Sequence, residues 1–325
     1  MKREMTRRGF LVGTAMVAGG SLGLGLWRRA RRGGRALKGF KAPGVREGDP
    51  LIGRGKVVVA RGEGPADNVR RALARCGAVD KLVSPGDTVV IKPNMAWGLP
   101  PELGANANPG TVAEVASLCK AAAGPGGRVV VFDRTMSRDP SGPYRVSGIA
   151  AAARAAGAIV HVVDETRFTE VAIADAYSLD AWSFYEYVLF ADRADVLINI
   201  PCAKTHSTSG LTLGMKNVFG MVGGERGKLH QGIHEKIADL NRVVKVDLTI
   251  LDATRVMWRN GPNSPRRSDV HHSPEKAQRI LVGTDPVAVD ACGATLFGRA
   301  PDDVGFVRRG HEAGLGDMKF SVTEA

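Results

Sequence analysis

A chain of 325 residues that is 44% hydrophobic can bury a large core, as one α/β domain or as two closely packed ones. The formal net charge is +12, but residues 1–41 hold 11 of the 45 Lys/Arg and one of the 33 acidic residues, which leaves 34 basic against 32 acidic side chains in the rest. The body is close to neutral, so the electrostatic footprint of a nucleic-acid binder is missing and no nucleic-acid partner is expected.

The basic excess belongs to a leader. Thr6-Arg7-Arg8-Gly9-Phe10-Leu11 opens an uncharged run rich in Gly and Ala that lasts to Trp27, and the basic stretch RRARRGGR follows. This order matches a twin-arginine export signal, which makes the twin-arginine translocation machinery an expected partner and an extracytoplasmic, periplasmic-type location the expected destination. The same run is just long enough to span a bilayer, and no small-x-small cleavage site directly follows it. Residues 1–41 are therefore read as a twin-arginine signal or membrane anchor with a basic flank. Residues 42–54 read as a linker, 55–317 as an α/β domain and 318–325 as a C-terminal tail.

Beyond the leader, strand and helix patterns alternate. Residues 56–60 (KVVVA) read as a strand and 66–79 as an amphipathic helix. Residues 88–91 form the next strand, stopped by Pro93, so that Lys92 and Asn94 sit at its carboxyl end. Asn108-Pro109 starts a helix that runs to the Gly-Pro-Gly-Gly break at 124–127, and residues 128–132 are a strand ending on Asp133. A helix over 147–156, a strand over 159–163 and a helix over 179–192 lead to the apolar strand 196–200. Further on, 234–246 reads as helix, 248–251 as a strand ending on Asp252, and 279–282 as a strand. Asp285-Pro286 then opens a helix to about residue 297, with the aspartate as N-cap. This alternation predicts an α/β fold, with a mainly parallel sheet and helices on both faces, preceded by the signal or anchor segment.

The candidate site lies just after the strand 196–200. Asn199, Lys204, His206, Lys216, Asn217, Lys228, His230 and His234 crowd into a glycine-rich stretch with little helical periodicity, read as a long functional loop. Lysines and asparagines at two separate strand ends would converge on an anionic ligand if those strands are neighbours, because parallel strands send their carboxyl ends to one edge. Lys92, Asn94, Lys216, Asn217 and Asn199 are accordingly read as ligand-binding residues for a small anionic molecule. His206, His230 and Lys204 are read as the catalytic candidates, since histidine titrates near neutral pH. A divalent metal on His230, His234, Asp133 and Asp252 is a further option, although His230-x-x-x-His234 lacks the internal glutamate of a zinc peptidase.

Other motifs are absent. Residues 222–229 imitate a phosphate loop but have Val222 for its leading glycine and Leu229 for its hydroxyl residue, and no Gly-x-Ser-x-Gly elbow occurs. Cys76, Cys119, Cys202 and Cys292 form no Cys-x-x-Cys pair, so the spacing supports neither an iron–sulfur cluster nor structural zinc, and all four read as small buried residues.

Taken together, Lys92-Pro93-Asn94, the phrase NIPCAKTH at 199–206, LTLGMKNVFG at 211–220, Asp239-Leu240, Asn260-Gly261-Pro262 and GTDPVAVD at 283–290 resemble the domain of unknown function 362 (DUF362) family over roughly residues 55–317. Members of that family often carry ferredoxin-like cysteine clusters or a twin-arginine leader. This chain has the leader pattern and lacks the cysteines, so the resemblance brings no iron–sulfur cofactor with it. It also brings no reaction. Two classes remain open: an exported enzyme acting on a small anion, with or without a metal, and a noncatalytic ligand-binding or assembly protein associated with exported redox partners.

The leader reading is tested by changing Arg7 and Arg8 together to lysine. The expected outcome is a folded precursor retained in the cytoplasm, scored by cell fractionation; normal export of this variant would sink the assignment.

Overall fold

The computed structural model describes residues 48–325 except 63, 173–180, 186–193, 226 and 264. The leader, and with it both the signal and the anchor reading, lies outside the described residues. Among those described, the main sheet is built on β1 (Lys56–Arg61), β2 (Thr88–Pro93), β3 (Arg128–Val131) and β4 (Ile159–Val160). A small separate sheet of β5 (Phe168–Ala172) and β6 (Ala181–Tyr185) follows. The main sheet continues with β7 (Val196–Ile200), β8 (Cys202–His206), β9 (Gly210–Thr212), β10 (Leu248–Met257), β11 (Val270–His271), β12 (Arg279–Gly283) and β13 (Ser321–Glu324).

The strand order is β13-β1-β12-β10-β7-β2-β3-β4. From β10 to β4 every neighbouring pair is parallel. Helices supply the crossovers that such pairs require: Pro109–Ala123 joins β2 to β3, and Ser141–Val146 with Ile149–Ala155 joins β3 to β4. The fold is thus α/β with a mixed, mostly parallel sheet. The strand that departs from the parallel arrangement is β12, which runs antiparallel to both of its neighbours, β10 and β1, so that β1 points the same way as the parallel strands. The connection 258–278 explains this: it holds one 3-10 turn and β11, which folds back on β10, but no crossover helix. Without one, β12 returns in the opposite direction.

Both sheet faces are covered, which is why the central strands read as unbroken apolar runs. One face, with Val58, Val89, Ile91, Val129, Ile198 and Ile250, packs on Val69 and Leu73 of the helix Pro65–Cys76 and on Val112 and Val115 of Pro109–Ala123. The opposite face receives the helix Pro286–Thr295 so closely that a Cβ at Gly293 would stand 2.6 Å from Leu251 Cδ2, and one at Gly283 would stand 2.8 Å from Val289 Cγ2.

Three local expectations change. Residues 181–185, placed in a helix over 179–192, form β6 instead; the aromatic-rich AWSFY suits a strand. The remainder of that segment is outside the described residues. The stretch after Pro201 is no open loop, for β8 continues the line of β7 along the ten-residue β10 and turns back as the β8–β9 hairpin. Residues 318–325, expected as a tail, carry β13, which pairs in parallel with β1.

Asp285 fastens these parts together. Its Oδ1 accepts from Val287 and Ala288 N–H at 2.9 Å each, capping the helix as the sequence predicts, while Oδ2 accepts from Gly55 N–H and Asp317 N–H, also at 2.9 Å. Asp285→Ala strands four buried or half-buried donors and should lower unfolding stability by about 3 kcal/mol or more. Urea denaturation measures this, and a loss of under about 1 kcal/mol would mean that the fastening is illusory.

Candidate functional site

The chain goes outward from β2 to β3 and β4, then returns to place β7 on the other side of β2. The strand order reverses between β2 and β7, and in open α/β sheets the crevice outside the carboxyl ends at such a point is where ligands bind. Register pairs Lys92 with Asn199 and Pro93 with Ile200, so these two strands end together. A cleft opens there, with a volume of about 520 Å³ including its mouth, lined among the described residues by Lys92, Asn94, Trp97, Asp133, Arg134, Lys204, His206, Thr212, Lys216, Asn217, Phe219, His230 and Pro262.

Its floor is a closed polar cluster. Lys92 Nζ lies 3.0 Å from Asp133 Oδ1 and donates to Asn217 Oδ1 at 2.7 Å, with both ionic side chains 1% exposed. The Asp133 contact has ion-pair distance without hydrogen-bond alignment. Asp133 Oδ2 accepts from Met95 N–H at 2.7 Å. Asn94 Nδ2 donates to Asn217 Oδ1 at 2.9 Å, and Asn217 Nδ2 donates to Asn199 Oδ1 at 2.8 Å. Gly220 lies against this pair: a Cβ there would fall 2.0 Å from Asp133 Oδ1 and 2.6 Å from Lys92 Nζ. Only the absence of a side chain allows that approach.

One wall is the β8–β9 hairpin. Lys204 Nζ donates to Asn94 Oδ1 at 3.1 Å and to the Ala105 carbonyl, and burial pushes its pKa down. His206 Nδ1 accepts from Thr208 N–H at 3.1 Å and from Ser209 N–H at 3.3 Å, so the neutral ring carries its proton on Nε2. Burial, then the charge of Lys216, hold His206 down at about 3. Its ring stacks on His230 with centroids 5.5 Å apart. Facing them, Lys216 Nζ stands 4.1 Å over the Phe219 ring, a cation–π contact.

Lys216 and Asn217 are delivered by the short helix Gly214–Asn217, whose first N–H groups are gripped from behind. Asp290 Oδ1 accepts from Gly214 N–H at 2.6 Å and Oδ2 from Met215 N–H at 2.8 Å. Asn199 Nδ2 donates to the Gly214 carbonyl at 2.9 Å. Full burial pushes the Asp290 carboxyl up to about 7. Sequence reasoning took the phrase containing Asp290 only as part of a resemblance; its position one helical turn beyond the Asp285 cap, on a buried face, was the available signal.

The DUF362 profile, described as a domain of unknown function, matches residues 89–295, from β2 to the end of the helix capped by Asp285. The chain belongs to the DUF362 family. The match is narrower than the 55–317 suggested by the motifs, and it includes every residue of the cleft. A thylakoid-associated protein, sll1697, of Synechocystis sp. is similar to this chain, 28% identical over 233 residues that cover 69% of the chain and 67% of that protein.

Within this DUF362 domain, the cleft brings together Lys92, Asn94, Asp133, Lys204, His206, Lys216, Asn217 and His230. Asn199 supports the floor through Asn217 and Gly214. His206 is poorly placed for proton transfer near neutral pH, because its acceptor nitrogen is already occupied and its cationic form is disfavoured by burial. The four metal candidates do not form one site. The His234 ring stacks on Phe306 at 6.2 Å, Asp252 accepts from Asn108 N–H and from Thr254 N–H and Oγ1, and Asp133 faces Lys92. Among the described residues no three His, Cys, Asp or Glu side chains are grouped to hold a metal ion. The cysteines are all buried and lie on four different elements. Sequence reasoning missed Thr212, Phe219, Trp97 and Pro262, apolar or small residues whose role is visible only once the hairpin and the loops meet.

The Asp290 grip generates a pH prediction. Its folded-state pKa stands above the ordinary 3.8, so folding favours the protonated acid, and the associated stability is lost as pH rises from 3.8 to about 7. His206 acts oppositely, since a ring held at about 3 against an ordinary 6.5 costs stability as pH falls through that window. The two slopes overlap and mask each other in the native protein. Subtracting the denaturation curve of Asp290→Asn isolates the first: the advantage of native over variant should shrink as pH rises through its window, and a pH-independent difference would refute the assignment.

Proposed function

We propose that this DUF362 protein is an exported enzyme that binds a small carboxylate- or phosphate-bearing molecule in the cleft between the ends of β2 and β7. One observation carries the reading: the lining described above gathers Lys92, Lys204, Lys216 and Arg134, of which Lys92 pairs with Asp133 and Arg134 with Glu165. Buried cations of like sign repel, and in a medium of low dielectric an anion is the group that offsets them. Lys92 and Lys216 hold the anion, while Lys204, whose proton affinity is lowered by burial, is the reactive group. Export rests on the leader pattern, and the thylakoid association of the Synechocystis relative is compatible with it. No described helix is long and apolar enough to cross a membrane.

A second reading, noncatalytic capture of the same anion or of a cofactor-bearing partner, draws on one observation: Lys204 also ties the Asn94 side chain to the Ala105 carbonyl, a bracing role that needs no chemistry.

A thermal-shift titration with inorganic phosphate and with lactate tests the anion site. At one hundred times its dissociation constant, a bound anion stabilises by about 2.7 kcal/mol, enough to move the melting temperature by a few degrees. Lys216→Ala should abolish most of that shift, whereas Lys56→Ala on β1 should leave it intact. Equal shifts in both variants, or none in the native protein, would remove the anion site.

A further inference from the structure

The following inference rests on the anion-binding reading and adds a substrate class. Lys204 and Thr212 stand directly opposite each other in the β8–β9 hairpin. Directly opposed residues project to the same face of a sheet, and both of these line the cleft. Thr212 is 4% exposed, and its Oγ1 is shut off from solvent with no hydrogen-bond partner among the described residues. A hydroxyl left like that costs free energy, and Thr212 belongs to the lining of the cleft.

Lys204 is the complementary half. Lys204 is 1% exposed, and its Nζ is held by two neutral oxygens, Asn94 Oδ1 and the Ala105 carbonyl, while the carboxylate of the cleft is engaged by Lys92 and by Met95 N–H. An amine so placed gives up little by being neutral, and a neutral amine has the lone pair that attacks a carbonyl carbon. His206 adds a neutral Nε2–H donor to the same wall, its tautomer set by Thr208 and Ser209.

We propose that Lys204 forms an imine with small 2-oxo acids such as pyruvate, with the carboxylate held by Lys92 and Lys216 and the carbonyl oxygen placed at Thr212. In the first step the Nζ lone pair forms the C–N bond, the carbonyl π pair moves to oxygen, and one amine proton passes to that oxygen through the Thr212 hydroxyl, which gives and takes one proton. In the second step the nitrogen lone pair forms C=N, the C–O bond breaks, and the second amine proton leaves with the hydroxyl as water. No oxidant or reductant is needed. The 2-oxo acid class follows from the pairing of one nucleophilic amine with adjacent cations in a small cleft.

The test uses the intact protein with pyruvate and sodium cyanoborohydride, and lactate as the matched acid that has an alcohol in place of the carbonyl. The expected result is a stable secondary amine on Lys204, located by peptide mass spectrometry, formed with pyruvate and not with lactate. Thr212→Val should slow trapping by about tenfold or more while the pyruvate-induced melting shift persists, and Thr212→Ser should restore the rate. If pyruvate and lactate both raise the melting temperature and no adduct forms on Lys204, the imine proposal fails and the anion site stands. If neither acid shifts the melting temperature and no adduct forms, both readings fail. An adduct on Lys92 or Lys216 in place of Lys204 also overturns the proposal. Mapping on the native chain decides the matter even where a variant does not fold.

Discussion

The rest of the site depends on one buried ammonium. Lys92 ends β2 at 1% exposure, and a charge so far from water is tolerable only with a counter-charge and well-placed acceptors. Asp133, at the end of the adjacent β3, supplies the charge, and Asn217 supplies an acceptor from the far side of the cleft. These two requirements fix much else. Asp133 must keep its other oxygen on Met95 N–H, which holds the chain just after β2, and Asn217 must be carried in by the helix Gly214–Asn217. Gly220 then has to pass within contact of both ionic groups. Removing one partner of such a pair costs about 3–5 kcal/mol, because the survivor stays buried without compensation.

The second buried lysine is held differently, and the difference separates support from chemistry. Lys204 lies on β8, which extends β7 beyond Pro201 alongside β10. Proline cannot donate a ladder bond, yet its carbonyl still accepts from Asp252 N–H at 2.8 Å, so the line breaks without losing its direction. That extension carries Lys204 past the ends of the parallel strands to a place where its bonded oxygens are neutral ones. Lys92 is thus held by an ion pair with Asp133, whereas burial pushes the pKa of Lys204 down.

Much of this was legible in the sequence. The apolar runs at 89–91, 129–131 and 196–200 announced parallel strands buried on both faces, and Pro93 marked the strand end at which Lys92 and Asn94 appear. The Asp285-Pro286 signal fixed a helix start, because N-cap chemistry is local. What the sequence hid depends on long-range pairing. Nothing in CAKTH distinguishes an edge extension from a loop until β10 lies beside it, and AWSFY could be helix or strand until β5 pairs with it. The antiparallel return of β12 is hidden for the same reason. The grouping of His230, His234, Asp133 and Asp252 depends on long-range packing too, since an i,i+4 histidine spacing states nothing about where the second ring lies once it stacks on Phe306.

The strand-end acids explain why the cleft is left positive. Asp164, Asp252 and Asp285 follow strands in the sequence, Asp290 lies inside the helix that Asp285 opens, and each looks able to balance a lysine. In the structure each instead accepts from backbone N–H groups: Asp164 from Thr166, Asp252 from Asn108 and Thr254, Asp285 from four donors, and Asp290 from Gly214 and Met215. Helix starts and turns expose unpaired N–H groups that favour carboxylates, so an α/β fold draws its acids to the backbone wherever strands give way to helices. Some lysines serve the backbone as well, Lys120 at the Gly124 and Gly127 carbonyls and Lys204 at that of Ala105. The same edge of the sheet nonetheless spends these carboxylates on architecture and presents Lys92, Lys204 and Lys216 to the cleft.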